Sequence, residues 1–288
     1  MPLTKVAVVQ AGSIPFETAR SLEKALGLVQ AAGGAQLVVF PEAFLGGYPK
    51  GMDFGARVGM RSPEGRKWFR RYFEAAIGVP GPETDAMAEA ARAQGAWVVI
   101  GVIERDGGTL YCTALMFSPQ GELAGKHRKL MPMAMERIIW GFGDGATLPV
   151  LDTGIGKLGA VICWENYMPL LRMSMYQKGI QLYCAPTVDD REIWTSTMRH
   201  IAYEGRCFVL SACQFTEAAD YPDAVGIKGG SLIVSPLGQV LAGPTYGEEF
   251  VLHAEIDLGE IAEAKYDLDV VGHYARPDVF QLRVNEAP

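Results

Sequence analysis

Gly159-Ala160-Val161-Ile162-Cys163-Trp164-Glu165-Asn166 is the stretch on which the fold turns. Its apolar start reads as a buried strand, and the polar residues after it lead into Tyr167-Met168-Pro169-Leu170-Leu171-Arg172, a loop that opens a helix. A thiol therefore stands where strand gives way to loop, the position at which open α/β sheets present reactive groups. A nearby helix N-terminus would favour the thiolate, which is the nucleophilic form. A free cysteine is as readily a small buried hydrophobe, so Cys163 gains weight only from its surroundings.

Outward from this point the alternation of strand and helix repeats. Val6 to Val9 reads as a buried strand, Leu22, Leu26 and Val29 recur at helical spacing, and Leu37 to Phe40 makes the next strand. After Pro82, Thr84 or Asp85 can cap a helix ending near Gly95, followed by a strand from Trp97 to Ile103. Asp106-Gly107-Gly108 and Pro119-Gln120-Gly121 are hairpin signals, so the strands around Leu110 to Phe117 are antiparallel and the sheet is mixed. Beyond Cys163 the pattern predicts a strand at 181–185, a helix through 194–203 and strands at 207–212 and 231–234. Pro236 to Gln239 then turns toward a strand at 250–256, and a last helix lies near Glu260. No low-complexity linker interrupts this order, which predicts one domain over 1–288, with helices covering two packed sheets.

A hydrophobic share of 49% with 20% charged residues is ordinary for a globular chain. The apolar runs are far shorter than a membrane span, and Met1 to Gln10 lacks a signal-peptide core, so a cytoplasmic protein with no membrane partner is expected. A formal charge of -7 argues against nucleic acid, and Arg61 to Arg71 reads as a solvated helix face. The five cysteines form no Cys-x-x-Cys pair and the four histidines are scattered, so neither a metal site nor a disulfide framework is expected.

Other candidate groups flank the loops. Phe40-Pro41-Glu42 puts a carboxylate just past a buried strand that Pro41 ends, because proline has no donor for the ladder. Alone, Glu42 reads as a structural surface carboxylate at a strand end. Gly46-Gly47-Tyr48 follows, where backbone can approach a ligand and Tyr48 offers a wall and a hydroxyl. His127-Arg128-Lys129 groups three bases after a strand; His127 and Arg128 read as a solvated basic turn. Glu136 lies seven residues past Lys129, ahead of a glycine-rich run that lacks the strand and spacing of a dinucleotide fingerprint. A Cys-His pair using His127 or His200 finds no support beyond the residue types, and Trp140 and Trp194 read as packing.

Taken together, Phe40-Pro41-Glu42, His127-Arg128-Lys129 and Cys163-Trp164-Glu165-Asn166 resemble the three signature segments of the nitrilase superfamily of carbon-nitrogen hydrolases. The resemblance extends through Ser196 to Arg206 and Gly272 to Asp278, and Cys-Trp-Glu-Asn is similar to the true nitrilase branch. It implies a four-layer α-β-β-α sandwich of two mixed sheets flanked by helices. It also implies catalysis without cofactor or metal on a small nitrile by Cys163, Lys129, Glu42 and, at the family's second glutamate, Glu136. A nitrile demands a nucleophile for carbon, a cation where charge develops on nitrogen and a group that moves protons; Cys163, Lys129 and Glu42 supply one each, and Cys112, Cys184, Cys207 and Cys213 are expected to tolerate substitution. Tyr48, Met133 and Trp164 are the expected substrate contacts, and Met133 departs from the threonine usual after Met-Pro, which makes the pocket more apolar. The set Leu170, Leu171, Met173, Met175 and Tyr176 predicts a helix face that pairs two copies, so a homodimer or larger homo-oligomer is expected.

Overall fold

The computed structural model describes residues 3–287. Its elements, in chain order, are β1 (Thr4–Gln10), α1 (Thr18–Ala31), β2 (Leu37–Val39), α2 (Pro63–Ala75), α3 (Pro82–Gln94), β3 (Trp97–Asp106), β4 (Thr109–Phe117) and β5 (Leu123–Arg128). Then follow α4 (Glu136–Ile139), β6 (Val150–Thr153), β7 (Gly156–Ala160), a 3-10 turn (Cys163–Tyr167), α5 (Pro169–Gln177), β8 (Leu182–Thr187) and α6 (Glu192–Gly205). The chain closes through β9 (Phe208–Cys213), β10 (Phe215–Thr216), β11 (Ile227–Val234), β12 (Val240–Tyr246), β13 (Phe250–Ile256) and α7 (Gly259–Ala264).

Two mixed sheets result. One has the order β13-β1-β2-β3-β4-β5, with β1, β2 and β3 parallel and the hairpins β3-β4 and β4-β5 antiparallel. The other has the order β10-β11-β9-β8-β7-β6, with β12 beside β11 and with β7, β8 and β9 parallel. Because strand side chains alternate, each sheet feeds two apolar layers. Leu37 and Val39 of β2 meet Leu158, Ala160, Leu182 and Cys184 of the opposite sheet in the central layer. Val38, from between them, points outward onto Ala25 and Val29 of α1 and Met87 of α3. Tyr183 and Ala185 likewise face Met175 of α5 and Trp194 and Met198 of α6. The four layers expected from the sequence are therefore present, and each parallel strand is buried on both faces, which is why these strands read as continuous apolar runs.

Three local readings differ. α3 is capped at Gly81, and Thr84, three residues in, accepts from the Gly81 N–H at 2.9 Å, so Thr84 acts from inside the first turn. His127 and Arg128 are not solvated: His127 is fully buried at the end of β5, and Arg128 makes a two-pronged pair with the buried Glu104 at 2.6 and 2.9 Å. In the apolar set on α5, Leu171, Met175 and Tyr176 fill this chain's own core, Met173 is half-buried against it and Leu170 alone is exposed. The 3.6-residue period turned that stripe inward, so it supplies little apolar surface for a second copy.

Candidate active site

The loops after β2, β5 and β7 converge at one end of the sandwich. Beyond β2, Pro41 leaves the ladder and the chain wraps around Gly101 of β3: Gly101 N donates to Pro41 O at 3.0 Å, and Phe44 N donates to Gly101 O at 2.7 Å. A Cβ on Gly101 would lie 2.4 Å from Pro41 O and 2.5 Å from Glu42 Cα, so only glycine permits this approach. From the other sheet, Gln214 Nε2 donates to the Glu42 carbonyl at 2.7 Å and ties the turn down. Ala43 and Cys163, at the heads of two of the loops, both have left-handed backbone (φ 52° and 48°). That is an uphill conformation for residues other than glycine, and the surrounding packing holds it.

At the centre, the fully buried Lys129 ammonium donates to Glu42 Oε1 at 2.6 Å and to Glu136 Oε2 at 2.9 Å. Glu136 is held in turn by the Tyr48 hydroxyl at 2.7 Å and the Met133 N–H at 2.7 Å. Burial opposes the Lys129 charge, but Glu42 and the other anionic groups outweigh it and push its pKa well above the usual lysine value. Burial also raises Glu42, against the lowering influence of Lys129. Its Oε2 is buried with no hydrogen-bond partner among the described residues. Trp140 is packing, as expected, but its ring also lies 5.3 Å from Lys129 Nζ and walls the cleft.

Cys163 is 4% exposed, and its sulfur accepts from Thr187 Oγ1, at the end of β8, at 3.2 Å. Burial and then Glu42 push the thiol well above its usual range, while Lys129 pulls the other way. That shift favours the thiol form, which needs a base to become a nucleophile.

The expected contacts Tyr48, Met133 and Trp164 border a cleft of about 250 Å³ that reaches Cys163. Through Tyr48 and Met133 it adjoins a second cleft of about 280 Å³, walled by Met52, Met135, Ile139 and Trp140. At the rim, Trp164 Nε1 donates to Asp189 Oδ2 at 2.9 Å, and the Arg191 guanidinium lies 4.8 Å over the indole. Among the charged groups of this rim, Arg191 pairs with Asp189 and Lys50 with Asp190.

Sequence reasoning missed Thr187, Asp189, Cys112 and Glu165. Glu165 lies within the opening stretch but gives no sign there of its partners. Its carboxylate, fully buried, accepts from Ile162 N at 2.9 Å, Leu130 N at 2.6 Å and His127 Nε2 at 2.8 Å. The turn that carries Cys163 and the turn that carries Lys129 are thereby bolted together. His127 Nδ1 lies 2.7 Å from Thr147 O, which can only accept, so Nδ1 carries a proton. Burial lowers the His127 pKa, yet Glu165 raises it overall. The stabilisation from this raised pKa is full below the ordinary histidine value and is lost as pH rises through the folded-state value. Glu165→Ala should cost about 3 kcal/mol or more and remove that alkaline loss, since it strips the partner from a buried cation and from two N–H groups. Urea unfolding across a pH series measures both; an unmoved midpoint would mean that the pair does not brace the two turns.

With this geometry in view, the chain matches the carbon-nitrogen hydrolase family model over residues 5–266. It belongs to that family, within its nitrilase branch. It is 57% identical over 297 aligned positions to an aliphatic nitrilase of Sinorhizobium fredii, covering 99% of this chain and 96% of that one. A nitrilase of Bradyrhizobium diazoefficiens is 59% identical, with 99% and 92% covered. The structure of XC1258 from Xanthomonas campestris, a CN-hydrolase superfamily protein, superposes with a TM-score of 0.78 at 17% identity, covering 94% of this chain and 97% of that chain. That likeness bears on the fold alone.

Proposed function

We propose that this protein hydrolyses organic nitriles to carboxylic acids and ammonia through a covalent Cys163 intermediate. The observation that carries the reading is the ammonium of Lys129, clamped between two carboxylates in the buried site that Cys163 shares. Cys163 attacks the nitrile carbon as Glu42 takes the thiol proton, giving a thioimidate. Lys129, assisted by the backbone N–H of Trp164, stabilises the charge that develops on the substrate, and Glu136 keeps Lys129 aimed. Water adds to the thioimidate carbon with Glu42 relaying protons, and the tetrahedral adduct expels ammonia to leave a thioester. A second water releases the acid and regenerates the thiol. Tyr48, Met133 and Trp164 shape the slot for the substrate. The high identity to chains named nitrilases supports nitriles over amides as substrates.

Ammonia release from a panel of nitriles and their matching amides tests the assignment. Nitriles are expected to turn over faster, with acid as the main product, because a site shaped for a linear group leaves an amide's NH₂ poorly paired at about 1 to 3 kcal/mol per buried group. Faster turnover of the amides would make the protein an amidase.

Three further readings belong with this proposal. The whole chain acts as one domain, supported by the apolar layer that both sheets share. It works in the cytoplasm, in keeping with five free, buried cysteines. It assembles at least as a dimer. Leu170, Ile193 and Tyr203, exposed on α5 and α6, support that assembly in place of the inward-facing stripe.

A further inference from the structure

The Cys112 side chain belongs to no part of the mechanism above, yet it lies inside the same buried cluster. It comes from β4, is 1% exposed, and its sulfur lies 3.5 Å from Glu42 Oε1, within the longer reach of a sulfur donor. A carboxylate can only accept, so the thiol is the donor. Burial, reinforced by Glu42, pushes the Cys112 thiol well above its usual range, which keeps it an S–H. The backbone of the same residue serves the site as well: Lys129 N donates to Cys112 O at 2.8 Å. Cys112 thus touches the lysine's turn with its carbonyl and the carboxylate with its thiol.

The two oxygens of Glu42 are consequently unequal. Oε1 receives both Lys129 Nζ at 2.6 Å and the Cys112 thiol, whereas Oε2 has no partner among the described residues. With two donors on one oxygen, rotation of the carboxylate would break two bonds at once. We infer that Cys112 is a positioning residue: its S–H pins Glu42 Oε1 so that Oε2 stays free to take protons from Cys163 and from the attacking water. This inference rests on the reading of Glu42 as the proton carrier.

The consequence is visible in pH dependence. The titratable or charged groups acting on Glu42 are Lys129, Glu136, Cys163, Cys112, Tyr48 and Tyr72. An S–H donated to the carboxylate favours its charged form, so removing the donor raises the Glu42 pKa. The acidic limb of kcat/KM then moves to higher pH.

The test compares Cys112→Ser, which keeps a donor, with Cys112→Val, which keeps volume without a donor, and with Cys112→Ala. Far-UV circular dichroism and melting curves select the folded variants, and the Ser and Val pair decides the matter if Ala does not fold. Against the tolerance that the sequence suggests for Cys112, its contact with Glu42 makes the expected result for Val and Ala a fall in kcat of about tenfold and an upward shift of the acidic limb by about half a pH unit or more, with Ser close to wild type. If Val keeps the wild-type limb and rate, or Ser loses as much as Val, the inference is overturned. Glu42→Gln separates the two levels. If it is inactive while the Cys112 variants are silent, only the positioning role falls; if it is as active as wild type, the reading of Glu42 as proton carrier falls first.

Discussion

Cys163→Ala should fold normally and release ammonia from no nitrile, a fall of about 10⁴-fold or more, since loss of a covalent nucleophile leaves only binding and electrostatics. The expectation comes from geometry as well as chemistry. All five cysteines are buried and free, but Cys163 is the one at the head of the turn that borders the cleft. Cys184, deep in the central apolar layer, has a thiol pushed well above its usual range by burial, and Cys207, in the layer under α5 and α6, one pushed up to about 12, outside nucleophilic chemistry near neutral pH. A slow nitrile should leave a mass adduct on the peptide that holds Cys163 and on none of the others. Turnover retained in Cys163→Ala, or an adduct mapped elsewhere, would refute the covalent mechanism.

Lys129→Met should lower kcat by about 10² or more, the loss expected when one preorganised donor to developing charge is removed. It also leaves Glu42 and Glu136 facing each other without their shared cation, so a stability cost of about 3 kcal/mol or more should accompany it. The two effects separate by assaying at a temperature where circular dichroism shows the variant folded. Lys129→Arg is not expected to rescue the rate, because a planar fork cannot place one donor between two carboxylates as a compact ammonium does. A folded Lys129→Met with near wild-type kcat would take Lys129 out of the chemistry.

His127 and Cys112 show where reading the sequence reached its limit. His127 sits in a run of three bases, and its neighbours suggest a wet turn; the β4–β5 hairpin instead carries it under the sheet, where Glu165, 38 residues away, neutralises it. Cys112 is one apolar-looking residue in an apolar strand, and only the pairing of β3 with β4 sets its thiol against a carboxylate 70 residues earlier. The stripe on α5 is apolar in sequence, but its direction depends on which sheet lies beneath it.

β6, β10, β12 and the short α4 that begins at Glu136 were not legible in the sequence, which determined by itself the order of the other elements, the mixed strand pairing and the positions of Glu42, Lys129 and Cys163 just past strand ends. These follow from apolar runs, turn residues and the absence of a proline donor, all of which act over a few neighbouring residues. Tertiary structure alone decided that Lys129 reaches Glu42 across 87 residues, that Thr187 reaches Cys163 across 24, and that one oxygen of Glu42 is occupied while the other has no partner among the described residues. The physical reason is range: backbone preference is local, whereas a buried hydrogen bond between distant loops exists only after sheet pairing has brought its donor and acceptor within about 3 Å.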